Sequence, residues 1–434
     1  MQFVLVCLAG LSLAAVAEAP SVVPVRMGIA RVSINPMEAG IPTQLGGYGA
    51  REARSAEATL DTIYGKVLLV EQAGTKSALI TVDTCTVPIS VAEDTLKKAG
   101  IEGLTIDRML VSASHTHTGL EGFALDPRNI AQNKNIGIFS EPMLNFVTDQ
   151  LAKALKEADT AFQPVKAGSS QIDLPGMNRN RRKSPFVDPQ MTVLRIDKAD
   201  GSPYAVLVNY TAHGTFVDDS EMMVSSEWAG SMQRTVEDMM GHGVICLYTN
   251  GAEGDLSPVG SAGGSNYERA WNYGRKVGIA AARLVEAIET ADVSCCVVQS
   301  AWVSLPPRRP APDFQKIAGQ EYKVSQEELE QMVQVLFPEK APVYALRVNE
   351  FQMMTFPGEP ICEVGLAVKE SLRKAGIANP CVASLTTDHI GYILTEEEYK
   401  KSGYEATASF YGDGLGHLMV EEVCKLGAAV AREK

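Results

Sequence analysis

Short apolar runs with the spacing of β-strands alternate with longer amphipathic stretches along the chain. Residues 66–71 and 78–83 form two such runs, separated by the turn-like sequence at 73–76. Residues 141–158 have the periodicity of an amphipathic helix. Further strands are predicted at 25–34, 108–114, 165–172, 191–196, 205–210, 244–248, 295–305, 343–354 and 381–385. Further helices are predicted at 89–99, 227–240, 266–289, 326–335 and 361–375. The alternation predicts an α/β fold with a mixed β-sheet core flanked by helices.

Polar side chains with catalytic potential follow several of these predicted strands. They are His115, His213, Asn250 and Glu359. In open α/β folds, functional sites gather at strand ends, where loops present side chains. We therefore expect one site at strand ends along a shared edge.

The sequence Ser114-His-Thr-His-Thr-Gly119 contains two of the six histidines, His115 and His117. Strand residues two apart lie on one face, so the two imidazoles can bind a metal or pair a ligand with a proton shuttle. Two partly exposed histidines without a role are the alternative. His213 alone is equally compatible with a structural role, and Glu359 alone with capping of the following helix.

A polar, glycine-rich loop at 250–258 follows a predicted strand and contains Asp255 and Ser257. Ser257 is a candidate nucleophile or substrate-binding hydroxyl, and a serine that only stabilises the turn is the alternative. The sequence has no G-x-S-x-G elbow, and no phosphate loop or dinucleotide fingerprint at a predicted strand-to-helix turn.

Composition and charge narrow the class of partner. The 434 residues are 45% hydrophobic and 21% charged, which is an ordinary globular composition, and the net charge is −13. The acidic balance argues against nucleic acid and against docking on anionic membranes, but it leaves an uncharged lipid substrate open. The eight cysteines lack regular spacing and include no C-x-x-C pair, which predicts mostly buried free thiols.

The N-terminus has the pattern of an export signal. Residues 3–16 are apolar, and Ala17-Glu-Ala19 has the form of a cleavage site, although the first two residues lack a positive charge. We expect a signal peptide at 1–19, a hydrolase domain at 20–434, and an exported protein, periplasmic, cell-surface or secreted. No other segment approaches 18 apolar residues, so we expect no transmembrane span in the mature chain.

Seven short motifs, in order along the chain, together resemble the neutral/alkaline, non-lysosomal ceramidase family. They are Gly-Gly-Tyr-Gly at 46–49, Ser114-His-Thr-His-Thr-Gly119, Asn178-Arg179, Ala212-His-Gly-Thr215, Gly254-Asp-Leu-Ser-Pro258, Pro357-Gly-Glu359, and residues 391–399 with 403–406. Each motif is short, but the occurrence of all seven in the same order as in the family makes the resemblance specific.

The resemblance implies a Zn²⁺ ion and a set of site residues. The implied zinc ligands are His115, His213, Glu359 and Tyr392. The residues implied to surround the scissile amide are His117, Arg179, Asp255, Ser257 and Tyr404. A zinc-activated water would attack the amide carbonyl, with Tyr404 or Arg179 stabilising the oxyanion and His117 protonating the amine. The implied activity is hydrolysis of ceramide or a related small-molecule or lipid N-acyl substrate.

Departures from the family pattern leave alternatives open. The chain ends soon after the Tyr404 segment, so we expect no C-terminal immunoglobulin-like domain. The stretch 178–185 is enlarged, and Glu227 stands where the family usually has aspartate. A zinc amidase or deacylase acting on a non-lipid N-acyl compound, a non-catalytic binding protein of the same fold, and a non-haem iron site with two histidines and one carboxylate are the competing interpretations. The oligomeric state is not indicated by the sequence.

Overall fold

A nine-stranded mixed sheet forms the larger half of the core. The computed structural model describes residues 24–241 and 243–433. The main strands of this sheet are β1 (Arg26–Ser33), β2 (Tyr64–Gln72), β3 (Thr75–Val82), β4 (Met109–Ala113), β5 (Gln163–Asp173), β6 (Gln190–Lys198), β7 (Pro203–Tyr210) and β8 (Ile245–Asn250). Their spatial order is β8-β7-β6-β5-β1-β2-β3-β4, and the short strand Ala291–Asp292 pairs with β5. The outer pairs β7–β8 and β3–β4 are parallel, whereas the pairs between them are antiparallel.

A second sheet of four strands contains β9 (Cys296–Ser304), β10 (Lys340–Val348), β11 (Phe351–Thr355) and β12 (Asn379–Ala383), in that order. The single strand predicted at 343–354 is wrong, because the chain reverses between β10 and β11. Asn349 adopts φ 50° at this turn, a conformation that asparagine tolerates better than most residues. Its side chain also accepts a 3.0 Å hydrogen bond from the Ser294 N–H.

The described residues form seven helices of eleven or more residues. They are α1 (Ile89–Ala99), α2 (Glu141–Thr160), α3 (Glu227–Met240), α4 (Asn266–Ala287), α5 (Gln326–Leu336), α6 (Cys362–Lys374) and α7 (Leu415–Val430). Shorter helices are Pro36–Ala39, Gly49–Arg51, Ile106–Arg108, Gly122–Leu125, Phe314–Ile317, Gly319–Tyr322, Glu396–Lys400 and Tyr404–Thr407. The helix α1 ends as predicted, at Gly100 with φ 59°. None of the helices in the described part of the chain has the length and apolarity needed to cross a bilayer.

The two sheets pack face to face, giving four layers in the order helix, sheet, sheet, helix. Leu207 and Leu247 of the large sheet share a buried core with Phe351 and Met353 of the small one. The helices α1 and α2 cover one half of the outer face of the large sheet, α3 and α4 cover the other half, and α6 and α7 cover the small sheet. The predicted α/β fold with a mixed sheet flanked by helices is confirmed.

Two short strand pairs tie the loops together at one edge. Glu359–Pro360 pairs in parallel with Tyr392–Ile393, and Asn178–Asn180 pairs antiparallel with Leu256–Pro258. Within residues 24–241 and 243–433, no C-terminal immunoglobulin-like sandwich is present. The predicted signal peptide at 1–19 lies outside the described residues.

Candidate metal centre and active site

His115 is presented by a sharp bend directly after β4. Its backbone φ is 64°, an unusual conformation for a residue with a side chain, and its N–H donates to the Thr84 carbonyl over 3.0 Å. The ring atom Nδ1 donates to the Cys85 carbonyl over 2.8 Å. In a neutral imidazole this hydrogen bond leaves a lone pair on Nε2, which lies 3.4 Å from Glu359 Oε2.

His213 is held in an equivalent way after β7. Its backbone N–H donates to the Leu256 carbonyl over 3.0 Å, and its Nδ1 donates to the Glu253 carbonyl over 2.9 Å. The indole N–H of Trp228 donates to the His213 carbonyl over 3.1 Å. The free Nε2 lies 3.5 Å from Glu359 Oε2, so both histidines direct the same ring atom at one carboxylate.

Glu359 follows β11 and is buried with 5% of its surface exposed. Its backbone N–H donates to Gly391 over 3.0 Å, but its Oε2 has no hydrogen-bond partner among the described residues. The carboxylate of Asp255 accepts the Cys362 N–H over 2.7 Å at the start of α6. The carboxylate that caps the first turn of α6 is therefore that of Asp255. Capping of this helix was the alternative role considered for Glu359.

The ligand atoms of His115, His213 and Glu359 all lie within 4.8 Å of one another. Burial opposes charge on all three, yet Glu359 and Cys85 together outweigh it at His115 and raise the pKa of that imidazole well above its usual value. Burial likewise opposes the charge of Glu359, but His115, with His389 and Tyr392, outweighs it and lowers the pKa of the carboxyl to about 2. Burial lowers the pKa of His213 well below its usual value, so this imidazole is neutral. A cation that replaced the proton on His115 would meet two imidazole lone pairs and a carboxylate directed at one point, a set of donor atoms that suits a metal ion.

Tyr392 and Arg181 adjoin this centre. The phenol oxygen of Tyr392 lies 3.4 Å from His213 Nε2 and accepts a 3.0 Å hydrogen bond from Arg181 Nη2. Arg181 also donates to the Gly254 carbonyl over 2.8 Å and to Glu405 over 2.7 Å. The guanidinium therefore fixes the tyrosine oxygen beside the histidine and brings a positive charge to the site.

His117 is the second imidazole predicted at this edge, and its Nε2 lies 3.3 Å from that of His115. Its ring packs against Tyr48 at a centroid distance of 4.9 Å, and its buried Nδ1 has no hydrogen-bond partner among the described residues. Burial lowers the pKa of His117 well below its usual value. Cys85, His115 and His117 form a second group that could hold a metal, but it shares His115 with the first.

All these groups open into one cavity of about 350 Å³. One end is polar and contains the imidazoles, Glu359, Arg181 and Tyr392. Tyr404 lies on the same wall, where its hydroxyl is 2.6 Å from that of Tyr322. The other end is apolar and is lined by Phe123, Ile136, Phe314, Leu329, Met332, Leu336, Phe337 and Phe410.

Three of the predicted site residues lie off the wall of this cavity. Arg179 is exposed and pairs with Ser257 across a short strand ladder. Ser257 is 8% exposed and does not line the cavity within the described residues. Asp255 is engaged by Cys362 and by the side-chain amide of Asn180 over 2.6 Å. The guanidinium that lines the cavity in this structure belongs to Arg181.

Arg181 and His389 line the cavity, the Glu253 carbonyl holds His213, and none of the three was predicted from the sequence. The sequence repeats Asn-Arg at 178–179 and 180–181, and this repeat was the available signal for Arg181. Glu253 lies in the loop that contains Asp255, and burial raises the pKa of its carboxyl to about 8. His389 lines the cavity but belongs to no recognised motif.

A family model described as neutral/alkaline non-lysosomal ceramidase, N-terminal, matches residues 28–268, which is more than half of the chain. The chain belongs to this ceramidase family. The resemblance inferred from the motifs is therefore confirmed.

Individual ceramidases are similar at lower coverage. Neutral ceramidase A of Dictyostelium discoideum is 25% identical over 223 residues, covering 44% of this chain and 30% of the relative. The neutral ceramidase of Pseudomonas aeruginosa is 24% identical over 255 residues, covering 54% of this chain and 37% of the relative. The chain thus spans about a third of the length of the curated relatives that it matches.

The crystal structure of neutral ceramidase from Pseudomonas aeruginosa has the same fold, with a TM-score of 0.77 at 19% identity. The match covers 94% of this chain and 75% of that chain. A structure described as ceramidase complexed with C2 gives a TM-score of 0.76 at 18% identity, covering 94% of this chain and 75% of that chain. Both matches establish the ceramidase fold for this chain.

Proposed function

We propose that the protein is a zinc-dependent amidohydrolase that cleaves the linear amide bond of ceramide or a related N-acyl substrate. The observation that carries the proposal is the convergence of His115, His213 and Glu359 at the polar end of an apolar cavity. Membership of the ceramidase family supports the amide as the bond that is cleaved.

The donor set fits a divalent ion. The Nδ1 atoms of His115 and His213 are engaged by backbone carbonyls, an arrangement that orients a metal-binding histidine through its second nitrogen. The buried Oε2 of Glu359 lacks a partner, which a bound ion would supply. Tyr392 is the proposed fourth ligand. A zinc ion held by these residues supplies Lewis acidity and lowers the pKa of the water that it binds.

The proton transfers fall to His117 in this proposal. Its imidazole is neutral and lies beside His115, so it can accept a proton from water and donate it to the leaving nitrogen. Arg181 and Tyr404 lie on the same wall and can donate hydrogen bonds to the oxyanion that develops on the carbonyl. Ser257 and Asp255 then act as positioning residues in the loop whose Leu256 carbonyl holds His213.

The cavity favours a substrate with an apolar chain. Its aromatic and aliphatic end is continuous with the polar end, so a chain attached to the scissile amide can enter it. This arrangement favours an N-acyl lipid over a wholly polar N-acyl compound. We further propose export through residues 1–19, leaving a mature domain at 20–434, which N-terminal sequencing of the exported protein would test.

The function is tested by a screen of fluorescent N-acyl amides with purified protein, with and without chelation and zinc restoration. His213→Ala is expected to lose bound zinc and turnover while remaining folded, whereas the exposed His417→Ala retains both. Hydrolysis by His213→Ala at the parental rate would refute the metal assignment. Chelator-sensitive hydrolysis of short polar N-acyl compounds alone would favour the non-lipid deacylase. Retention of lipid amides without hydrolysis would favour a binding protein.

A further inference from the structure

His389 is a buried imidazole on the cavity wall that has no part in the proposed metal centre. Only 9% of the residue is exposed. Its Nδ1 is buried and makes no hydrogen bond within the described part of the chain. A buried polar atom without a partner is unfavourable, so the presence of this imidazole on the cavity wall needs an explanation.

The segment that carries His389 is firmly anchored. The His389 N–H donates to Asp388 Oδ1 over 2.9 Å, and Arg128 lies 2.6 Å from that carboxylate and 2.8 Å from that of Asp126. The next residue, Ile390, donates its N–H to Pro357 over 2.8 Å, and Gly391 accepts the Glu359 N–H. The imidazole is thus fixed relative to Glu359, and its lack of a partner does not reflect a loose segment.

The surroundings of His389 place it between the polar and apolar ends of the cavity. Its ring contacts Phe123 edge to face at a centroid distance of 5.6 Å. Phe123 packs against Phe337, which in turn packs against Phe410. On its other side lies the metal centre, close enough that Glu359 influences its protonation. A substrate chain that leaves the scissile amide for the aromatic end would pass this imidazole.

The protonation state limits what this ring can bind. Burial lowers the pKa of His389 to about 4. At neutral pH it therefore carries one N–H donor and one lone-pair acceptor and no charge. A hydroxyl can bond the accessible nitrogen of such a ring in either tautomer, because it donates to a lone pair and accepts from an N–H. An anionic or cationic substrate group would gain no ion pair from it.

We propose that His389 is a specificity-determining residue that binds a hydroxyl group of the substrate close to the scissile amide. This inference rests on the proposed function, because it takes the substrate to be an N-acyl compound in this cavity. The hydroxyl belongs either to the acyl chain or to the amine, and the experiment below separates the two. A substrate without it leaves the imidazole buried and unpaired, which lowers its transition-state binding.

The test compares two pairs of octanoyl amides that differ only by one hydroxyl. The first pair places the hydroxyl on the carbon next to the carbonyl, and the second places it on the amine, one carbon beyond the carbon attached to nitrogen. For each pair, kcat/KM by hydrolysis and Kd by calorimetry are measured with wild type, His389→Phe and His389→Gln. The matched control is His417→Phe, a substitution at an exposed position of α7.

We expect wild type to favour the hydroxylated member of one pair by about tenfold, the value of one net hydrogen bond. His389→Phe should abolish this preference by lowering kcat/KM for the hydroxylated amide about tenfold more than for the plain one, and His389→Gln should restore part of it. His417→Phe should match wild type. The pair that shows the preference identifies which side of the amide carries the hydroxyl.

Two results would overturn the inference: no preference in either pair with wild type, or a preference that survives in His389→Phe. A different result is expected if the proposed function is wrong. In that case the wild-type protein hydrolyses none of the four amides, and the calorimetric Kd values still report whether His389 discriminates the hydroxyl.

Discussion

Gly47 and His117 are in such close contact that a Cβ atom added to Gly47 would lie 2.3 Å from both Cγ and Nδ1 of the imidazole. Gly47 also adopts φ +88°, which disfavours any residue with a side chain. The glycine thus leaves the space in which the His117 ring lies beside His115. Its place in the sequence Gly-Gly-Tyr-Gly at 46–49 is explained by this contact.

Gly47→Ala is therefore expected to displace His117 without touching the metal ligands. Misplacing the proposed proton-transfer group by about 1 Å should lower kcat on the order of 100-fold. Zinc content, measured by plasma mass spectrometry, should stay at the wild-type level. Gly74→Ala is a control for positive φ alone, since nothing lies within 4 Å of the added atom. Loss of zinc in Gly47→Ala but not in Gly74→Ala would contradict this division of roles.

Arg181 and Arg179 offer a matched pair of substitutions. Arg181→Met removes the donor to Tyr392 and leaves Glu405 paired with Arg182 alone, so we expect metal affinity or kcat/KM to fall about 10- to 100-fold. Arg179→Met changes an exposed side chain and should leave both unchanged. Competition with a chromogenic chelator measures the affinity. If Arg179→Met lowered metal affinity or kcat/KM and Arg181→Met did not, the arginine that acts at the metal centre would be Arg179.

The buried ion pair of Lys369 and Asp188 holds the loop that contains Arg181 against α6. Their side chains lie 2.6 Å apart with 1% and 2% of their surface exposed. Lys369→Met leaves the aspartate charge uncompensated, and we expect the free energy of unfolding to fall by about 3–5 kcal/mol. Adding Asp188→Asn should recover part of the loss, as urea denaturation would reveal. Equal stability of the single and double variants would argue against a coupled pair.

We expect Glu227 to make the free energy of unfolding depend on pH. Burial raises the pKa of its carboxyl to about 8, although it accepts a 2.7 Å hydrogen bond from Phe216 and a 3.3 Å bond from Val217. The folded state therefore binds the proton more tightly than the unfolded state does. Ionisation of Glu227 therefore lowers the free energy of unfolding. This loss is absent below pH 4.5, grows as the pH rises, and is complete above about pH 8.

Glu227→Gln removes this ionisation and keeps an oxygen for the two N–H groups. We expect it to increase the free energy of unfolding at pH 8.5 on the order of 2 kcal/mol relative to wild type, and to change it little at pH 5. Urea denaturation at the two pH values measures the difference. A variant that is less stable than wild type at pH 8.5 would contradict the raised pKa.

Much of the fold followed from local sequence signals. The bounds of α1 and α3 were predicted to the residue, because Gly100 and a clear change in polarity mark their ends. The division of the strands into two sheets was not predicted, because the pairing of β9 with β10 and of β11 with β12 joins distant stretches of chain and no local pattern encodes it. The turn at Asn349 was missed because apolar residues lie on both sides of it.

The site residues could be predicted where a residue type that binds metals directly follows a predicted strand. His115, His213 and Glu359 each follow a strand, and they converge as expected. The choice between Arg179 and Arg181 was not predictable, because the repeated Asn-Arg pair offers two equivalent registers and only the strand ladder with 256–258 distinguishes them. The capping role of Asp255 likewise depends on a tertiary contact with α6.

The proposed function depends on one divalent ion bound by side chains from three separate segments. Anomalous diffraction at the zinc edge from crystals of the purified protein tests this claim most directly. We predict a single strong peak within bonding distance of His115 Nε2, His213 Nε2 and the Glu359 carboxylate. A peak held by Cys85 and His117 instead, or no peak in protein that hydrolyses N-acyl amides, would contradict it.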